Sequence, residues 1–285
     1  MTIRPIFTLL IICNSLYLAG CGGGSSGGAV PDESARIDDP QIVIDDPAAL
    51  PVEGSAPGDE TVDVPEIVQE SDVSPESADR ARYRVTLENY WGVEDFPQEF
   101  PDDGHLSLIG GATHNTAVSF WNEGEVATRG IEDMAETGRI DELLFDEVVP
   151  AIGNGTADSI IEIRSYTAAR IDGVPGVNMF EIDMQVGYPL ITLVTMLGPS
   201  PDWFVGVSGL PLHSGDVWVT QLSVDLPLYD GGTKSSITPV MGGPDIIPAN
   251  PVELIAYDPV QGVYLPSETA QNVARLTFEL IDIVQ

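Results

Sequence analysis

From Tyr83 to the end of the chain, apolar and polar residues alternate in one short stretch after another. Tyr83-Arg84-Val85-Thr86-Leu87-Glu88, Phe180-Glu181-Ile182-Asp183-Met184, Val217-Trp218-Val219-Thr220-Gln221-Leu222-Ser223-Val224 and Ala274-Arg275-Leu276-Thr277-Phe278-Glu279-Leu280 keep a period of two. Ser159-Ile160-Ile161-Glu162-Ile163-Arg164 keeps it loosely. A period of two sends alternate side chains to opposite faces of a strand. Residues 190–197, apolar but for Thr192 and Thr195, and the apolar run 203–207 predict strands buried on both faces. Turn residues stand between these stretches, at Pro101-Asp102-Asp103-Gly104, Gly153-Asn154-Gly155, 172–176 and Gly231-Gly232. One stretch, 131–149, is compatible with helix and carries Gly138 as an interruption. The pattern predicts an all-β domain over 80–285, an antiparallel β-sandwich of about eight strands with one or two short helices.

The pattern is absent before Arg80. Residues 22–79 hold 15 acidic residues against the single basic Arg36, with almost no aromatic content. Such a segment buries too little apolar surface to offset its ordering entropy, so 21–79 is expected to be a disordered acidic, Gly/Pro-rich tether. As a flexible coil it reaches about 40 Å. Its disorder predicts first proteolytic cuts near Arg80 or Arg82. Residues 1–20 read as a secretory signal, with Arg4 ahead of the apolar run 6–12. The run ends in Leu18-Ala19-Gly20-Cys21, which resembles the lipobox of bacterial lipoproteins. That resemblance implies cleavage before Cys21, acylation of Cys21, and anchoring in the cell envelope at the outer membrane or cell surface. Several acyl chains, at about 0.8 kcal/mol per buried methylene, make a stable anchor. Cys13 would leave with the signal, so no disulfide is expected in the mature protein.

Charge then narrows the function. Eleven Lys and Arg against 45 Asp and Glu give a formal charge of −34, which phosphate backbones repel, so nucleic acid is excluded as a main partner. No run of 18 or more apolar residues follows position 25, so no helical membrane domain is expected.

Several strings, in order, resemble the spondin N-terminal family, the adhesion module of F-spondin and mindin. They are Tyr83-Arg84-Val85-Thr86-Leu87 with Trp91, His105-Leu106-Ser107-Leu108-Ile109-Gly110, Phe120-Trp121, and Gly130-Ile131-Glu132-Asp133-Met134-Ala135-Glu136-Thr137-Gly138. The most distinctive are Pro199-Ser200-Pro201-Asp202-Trp203-Phe204-Val205-Gly206-Val207 and Leu228-Tyr229-Asp230-Gly231-Gly232-Thr233. The resemblance implies an eight-stranded antiparallel sandwich and a calcium site rather than catalysis. Its aspartates would fall at Asp202 and Asp230, and its third acidic position is occupied by Lys234, the only lysine in the chain. Calcium takes six to eight oxygens, and an ammonium about 5 Å from it costs on the order of 6 kcal/mol at an effective dielectric near 20. Either Lys234 points outward and a weaker calcium site survives, or its charge replaces the metal and pairs with Asp202 and Asp230.

Other constellations are weaker. Glu181 and Asp183 share one face of a strand, as a general acid–base pair would, but a solvated face accounts for them as well. His105, His114 and His213 lack metal-ligand spacing. Trp91, Trp121, Trp203 and Trp218 are candidates for a carbohydrate platform or for the core. The expectation is a non-enzymatic, surface-anchored lipoprotein whose spondin-like domain binds extracellular matrix, polysaccharide or a surface protein. The alternatives are an envelope enzyme or accessory using Glu181, Asp183 or His114, and a structural assembly subunit without a ligand.

Overall fold

The computed structural model describes residues 78–94, 96 and 100–284. The signal-like segment 1–20, Cys21 and the acidic segment up to position 77 lie outside the described residues. Ten strands of four or more residues occur among the described residues: β1 (Arg80–Asn89), β2 (Ile109–His114), β3 (Ala157–Ile163), β4 (Gly176–Gln185), β5 (Leu190–Gly198), β6 (Trp203–Pro211), β7 (Gln221–Pro227), β8 (Glu253–Asp258), β9 (Val263–Pro266) and β10 (Asn272–Val284). Helix α1 (Arg129–Thr137) is followed by a π-helical turn, Leu143–Val148, that runs directly into α2 (Val149–Gly153). No helix among the described residues is long and apolar enough to cross a membrane.

Two antiparallel sheets carry the fold. The first has the order β7–β10–β1–β4. In the second, β9 and β8 lead through the two-residue strand Tyr229–Asp230 to β6 and β5. Beyond β5 the sheet forks, to β2 and β3 on one branch and to His105–Leu106 and Thr167–Ala168 on the other. Alternation fixes the register of the first sheet. Ala81, Tyr83, Val85 and Leu87 point inward, with Val85 opposite Phe278 on one side and Phe180 on the other.

The continuous apolar runs have a different cause. β5 and β6 form the middle of three layers. Leu193, Leu197, Trp203 and Val205 face the first sheet in one core. Val194, Met196 and Phe204 face the opposite way, into a second core with Ile131, Met134, Ile140 and Leu143 from the helical layer. A strand buried on both faces has no reason to alternate. Helix α1 starts at Thr128, whose hydroxyl accepts the Ile131 N–H at 3.3 Å, and stops at Gly138, which has φ 72° and donates its N–H to Met134. At Gly130 a Cβ would stand 2.5 Å from the Leu143 backbone, so the glycine sets how closely the two helical segments approach.

All four tryptophans are at most 6% exposed, which removes the carbohydrate platform. The alternating run 217–224 does not form one strand. Val217–Trp218 pairs with His213–Ser214, and β7 begins only at Gln221. The break lets Trp218 turn inward, where its Nε1 donates to the Ala78 carbonyl at 2.9 Å. Ala78 is therefore already part of the packed domain. Arg80 and Arg82, expected as early cleavage sites, lie inside β1 and pair with both β4 and β10, so a cut there requires the sheet to open. A chain shortened to begin at Arg80 leaves the Trp218 N–H without its acceptor. It is expected to lose about 1–3 kcal/mol against a chain begun at position 70, read as a lower urea midpoint at unchanged slope.

Candidate functional site

The Pro-Ser-Pro-Asp-Trp block forms the turn between β5 and β6. Its Gly198–Pro199 peptide is cis, and the buried Ser200 hydroxyl oxygen accepts the Trp203 N–H at 3.1 Å. This turn points the Asp202 side chain back beneath the loop that follows Tyr229–Asp230. Asp202 is fully buried. Its Oδ2 accepts the N–H groups of Thr233 at 2.7 Å and Lys234 at 2.8 Å, and its carbonyl accepts the Gly231 N–H at 2.9 Å. Its Oδ1 is buried with no partner.

Asp230 reaches the same place from the neighbouring strand. Tyr229–Asp230 lies between β6 and β8, with Asp230 in register with Trp203 and Glu253. Its Oδ2 accepts the Trp203 indole N–H at 3.1 Å and its Oδ1 the Gly232 N–H at 2.7 Å. Gly232 has φ 76°, and a Cβ there would stand 2.2 Å from the Asn250 carbonyl oxygen. No other residue type closes the loop over Asp202 this way.

Burial disfavours the charged form of a carboxyl, and both carboxyls are raised by it first. Burial, then the charge of Asp202, pushes Asp230 up to about 7. Burial also raises Asp202, against the N–H groups of Lys234 and Thr233, and the charge of Glu136 adds to the rise. Glu136 lies near the end of α1. Its Oε1 is 2.8 Å from the Thr233 hydroxyl, which is itself 3.1 Å from Asp202 Oδ2. A hydroxyl has one proton, so it can serve only one of these two carboxylates at a time.

Lys234 does not replace a metal by pairing with the two aspartates. Its ammonium pairs with Glu136 at 3.1 Å and with Asp245, and does not take Asp202 or Asp230 as a partner. Asp245 first, then Glu136, hold the ammonium above its usual pKa. The sequence singled out Asp202, Asp230 and Lys234 but missed Glu136 and Asp245. Glu136 stood within the quoted Gly130–Gly138 string, whereas Asp245 reaches Lys234 only through an isolated antiparallel bridge.

Against the shell calcium needs, the loop offers one open carboxylate oxygen, a second carboxylate held in a strained ionisation state, and nearby main-chain carbonyls. Among the described residues no set of three or more His, Cys, Asp or Glu is spaced to hold a metal ion. The one carboxylate oxygen of the pair left open to a cation is Asp202 Oδ1, since both Asp230 oxygens already accept N–H groups. The residues do not fit the three-acid pattern.

The remaining candidates do not converge. The His114 ring is buried, with Nε2 at 2.8 Å from Thr192 Oγ1 and Nδ1 at 2.9 Å from the Asn115 carbonyl. Glu181 and Asp183 face solvent on β4, and Asp183 is taken by Arg82 at 2.7 Å. The hollow of about 300 Å³ beside them is lined by Ser159 and Glu162 and does not include His114.

The family model described as Spondin_N matches residues 81–261. The chain is 32% identical to Spondin-2 of Homo sapiens over 161 residues, which cover 55% of this chain and 47% of that protein. It is 29% identical to Spondin-2 of Rattus norvegicus over 206 residues, covering 70% of this chain and 61% of that one. With Spondin-1 of Gallus gallus the identity is 30% over 217 residues, covering 70% of this chain and 25% of the relative. The match thus spans about half to three-fifths of Spondin-2 and a quarter of Spondin-1. The matched residues include the block that places Asp202 and the strand that places Asp230, and the chain belongs to the spondin N-terminal domain family.

Proposed function

We propose that this protein is a non-enzymatic binding module of the cell envelope, anchored by acyl chains at Cys21 and displayed on the acidic segment 22–79. Its spondin-type domain serves adhesion, with extracellular matrix, polysaccharide or another surface protein as ligand. Calcium is held weakly at Asp202 and Asp230. The observation that carries the reading is the family match over 81–261, whose most distinctive block delivers the buried Asp202 carboxylate next to Asp230. The unpartnered Oδ1 of Asp202 supports a cation there, because a buried carboxylate oxygen without a donor is costly. Buried ring nitrogens on His114 and solvated carboxylates at Glu181 and Asp183 give an acid–base enzyme no assembled site.

Calcium titration by calorimetry tests the site. Wild type is expected to bind one calcium ion in the roughly 10⁻⁴–10⁻³ M range of extracellular modules. Asp202→Asn, which keeps an acceptor for the Thr233 and Lys234 N–H groups, is expected to abolish binding without unfolding the domain. Equal binding by wild type and variant would place calcium elsewhere. For the anchor, labelled palmitate is expected to enter the chain in cells and to be lost in Cys21→Ser.

A further inference from the structure

A second concave site lies where the loop through Phe100–His105 meets the hairpin closed by the Ile171–Val174 bridge. The cavity measures about 860 Å³, within the roughly 300–1,000 Å³ of sites that take a specific ligand. Its apolar floor holds the half-buried Phe100 and the buried Ala169, with the exposed Ala168 also in the lining. Tyr166 stands at the wall, 65% exposed, its ring set edge-on to His105 at 4.8 Å between centroids. His105 is fixed in turn, its Nδ1 2.7 Å from the Asp103 carbonyl.

The rim carries Asp102, Asp103 and Asp172, all exposed, and none of these carboxylates has a cationic partner among the described residues. Arg170, the one cation among the described residues of the lining, is engaged with Glu94 at 3.1 Å. The cavity therefore presents an excess of negative charge around an aromatic face and an apolar floor. That combination matches an organic cation with an aliphatic stem. A hydrated metal ion has no use for the floor, and an anion is repelled.

We propose that this cavity binds an arginine-bearing peptide segment of a partner protein, the guanidinium stacking on Tyr166 and pairing with the rim aspartates. Arginine fits better than lysine because its planar head stacks on a ring while donating to several carboxylates. A peptide fits better than a free amine because the apolar surface continues from the lining residue Ile171 to Val174 outside the cavity, each 67% exposed, where only a longer ligand covers it. The proposal goes beyond the binding-module reading and does not depend on calcium at Asp202 and Asp230.

The test is fluorescence anisotropy on the full chain with a labelled pentapeptide carrying arginine between two leucines. The arginine peptide is expected to bind, more weakly as salt rises, and its citrulline counterpart to bind at least about tenfold less. Tyr166→Ala is expected to weaken binding about two- to fivefold. The double variant Asp102→Asn/Asp172→Asn should weaken it about tenfold, and Asp202→Asn should leave it unchanged. Equal binding of the citrulline peptide would overturn the proposal, as would unaltered affinity in the rim and Tyr166 variants. Arginine amide binding as tightly as the peptide would overturn the peptide as occupant. Displacement of the peptide by calcium, one ion for one peptide, would make the rim a metal site and overturn it equally.

Discussion

Between pH 5 and pH 8 the Asp230→Asn variant is expected to gain about 2–3 kcal/mol of stability relative to wild type. The cause is the burial of the Asp230 carboxyl, with the charge of Asp202 beside it adding to the effect. A carboxyl whose pKa rises from 3.8 in the unfolded chain to about 7 in the fold binds its proton more tightly when folded. Over that interval the native state holds more protons than the unfolded one, so wild-type stability falls as pH rises from about 4 towards 7 and levels off above it. The asparagine cannot ionise and loses this slope, although it gives up the acceptor for the Trp203 indole. Urea unfolding of both proteins at pH 5, 6, 7 and 8 reads the difference directly. Parallel curves for the two proteins would show that Asp230 ionises as freely in the fold as outside it. If calcium occupies the site, saturating calcium should flatten the wild-type curve, because metal binding expels the proton. Its apparent affinity should then rise with pH up to about 7.

What the sequence made legible follows from what each residue has to satisfy. Alternating strands such as β1 and β10 declare themselves, because one face meets the core and the other meets water. The doubly buried β5 and β6 declare themselves by the opposite sign, a mostly apolar run without alternation. The strands β8 and β9 had no such signal: Tyr257 and Tyr264 are the only aromatic anchors of a pair whose pattern is loose. With the glycine-containing β2 they are the strands that no periodic stretch announced, although Ile255 and Tyr264 reach the core. At the site, Asp202 and Asp230 were legible through their blocks. The contents of the loop were not, since the reach of Lys234 depends on where the chain returns at Asp245 and where α1 ends, and neither is a local property of its sequence.

Replacing Lys234 by methionine is expected to move stability and calcium affinity in opposite directions. The ammonium is only 16% exposed and sits between Glu136, 18% exposed, and the more open Asp245. Its loss leaves Glu136 unpaired beside the Thr233 hydroxyl and close enough to Asp202 to repel its charge. Breaking a mostly enclosed pair costs about 2–4 kcal/mol in the metal-free protein, well above the value of a surface pair. The same loss deepens the negative potential at Asp202 and Asp230 and removes a cation from the neighbourhood of any calcium bound there. Affinity for calcium should rise about tenfold at low salt, with a smaller gain at high salt as the charges are screened. Lys234→Asp carries the logic further. The backbone N–H that Asp202 accepts is retained, while a carboxylate returns to the third acidic position of the family pattern. That variant is expected to be the least stable without calcium and to show the largest rise in melting temperature when calcium is added. A melting temperature that calcium leaves unchanged in both variants would mean that the two aspartates share a proton instead of a metal. The ligand-binding role of the domain would then rest on its surfaces alone.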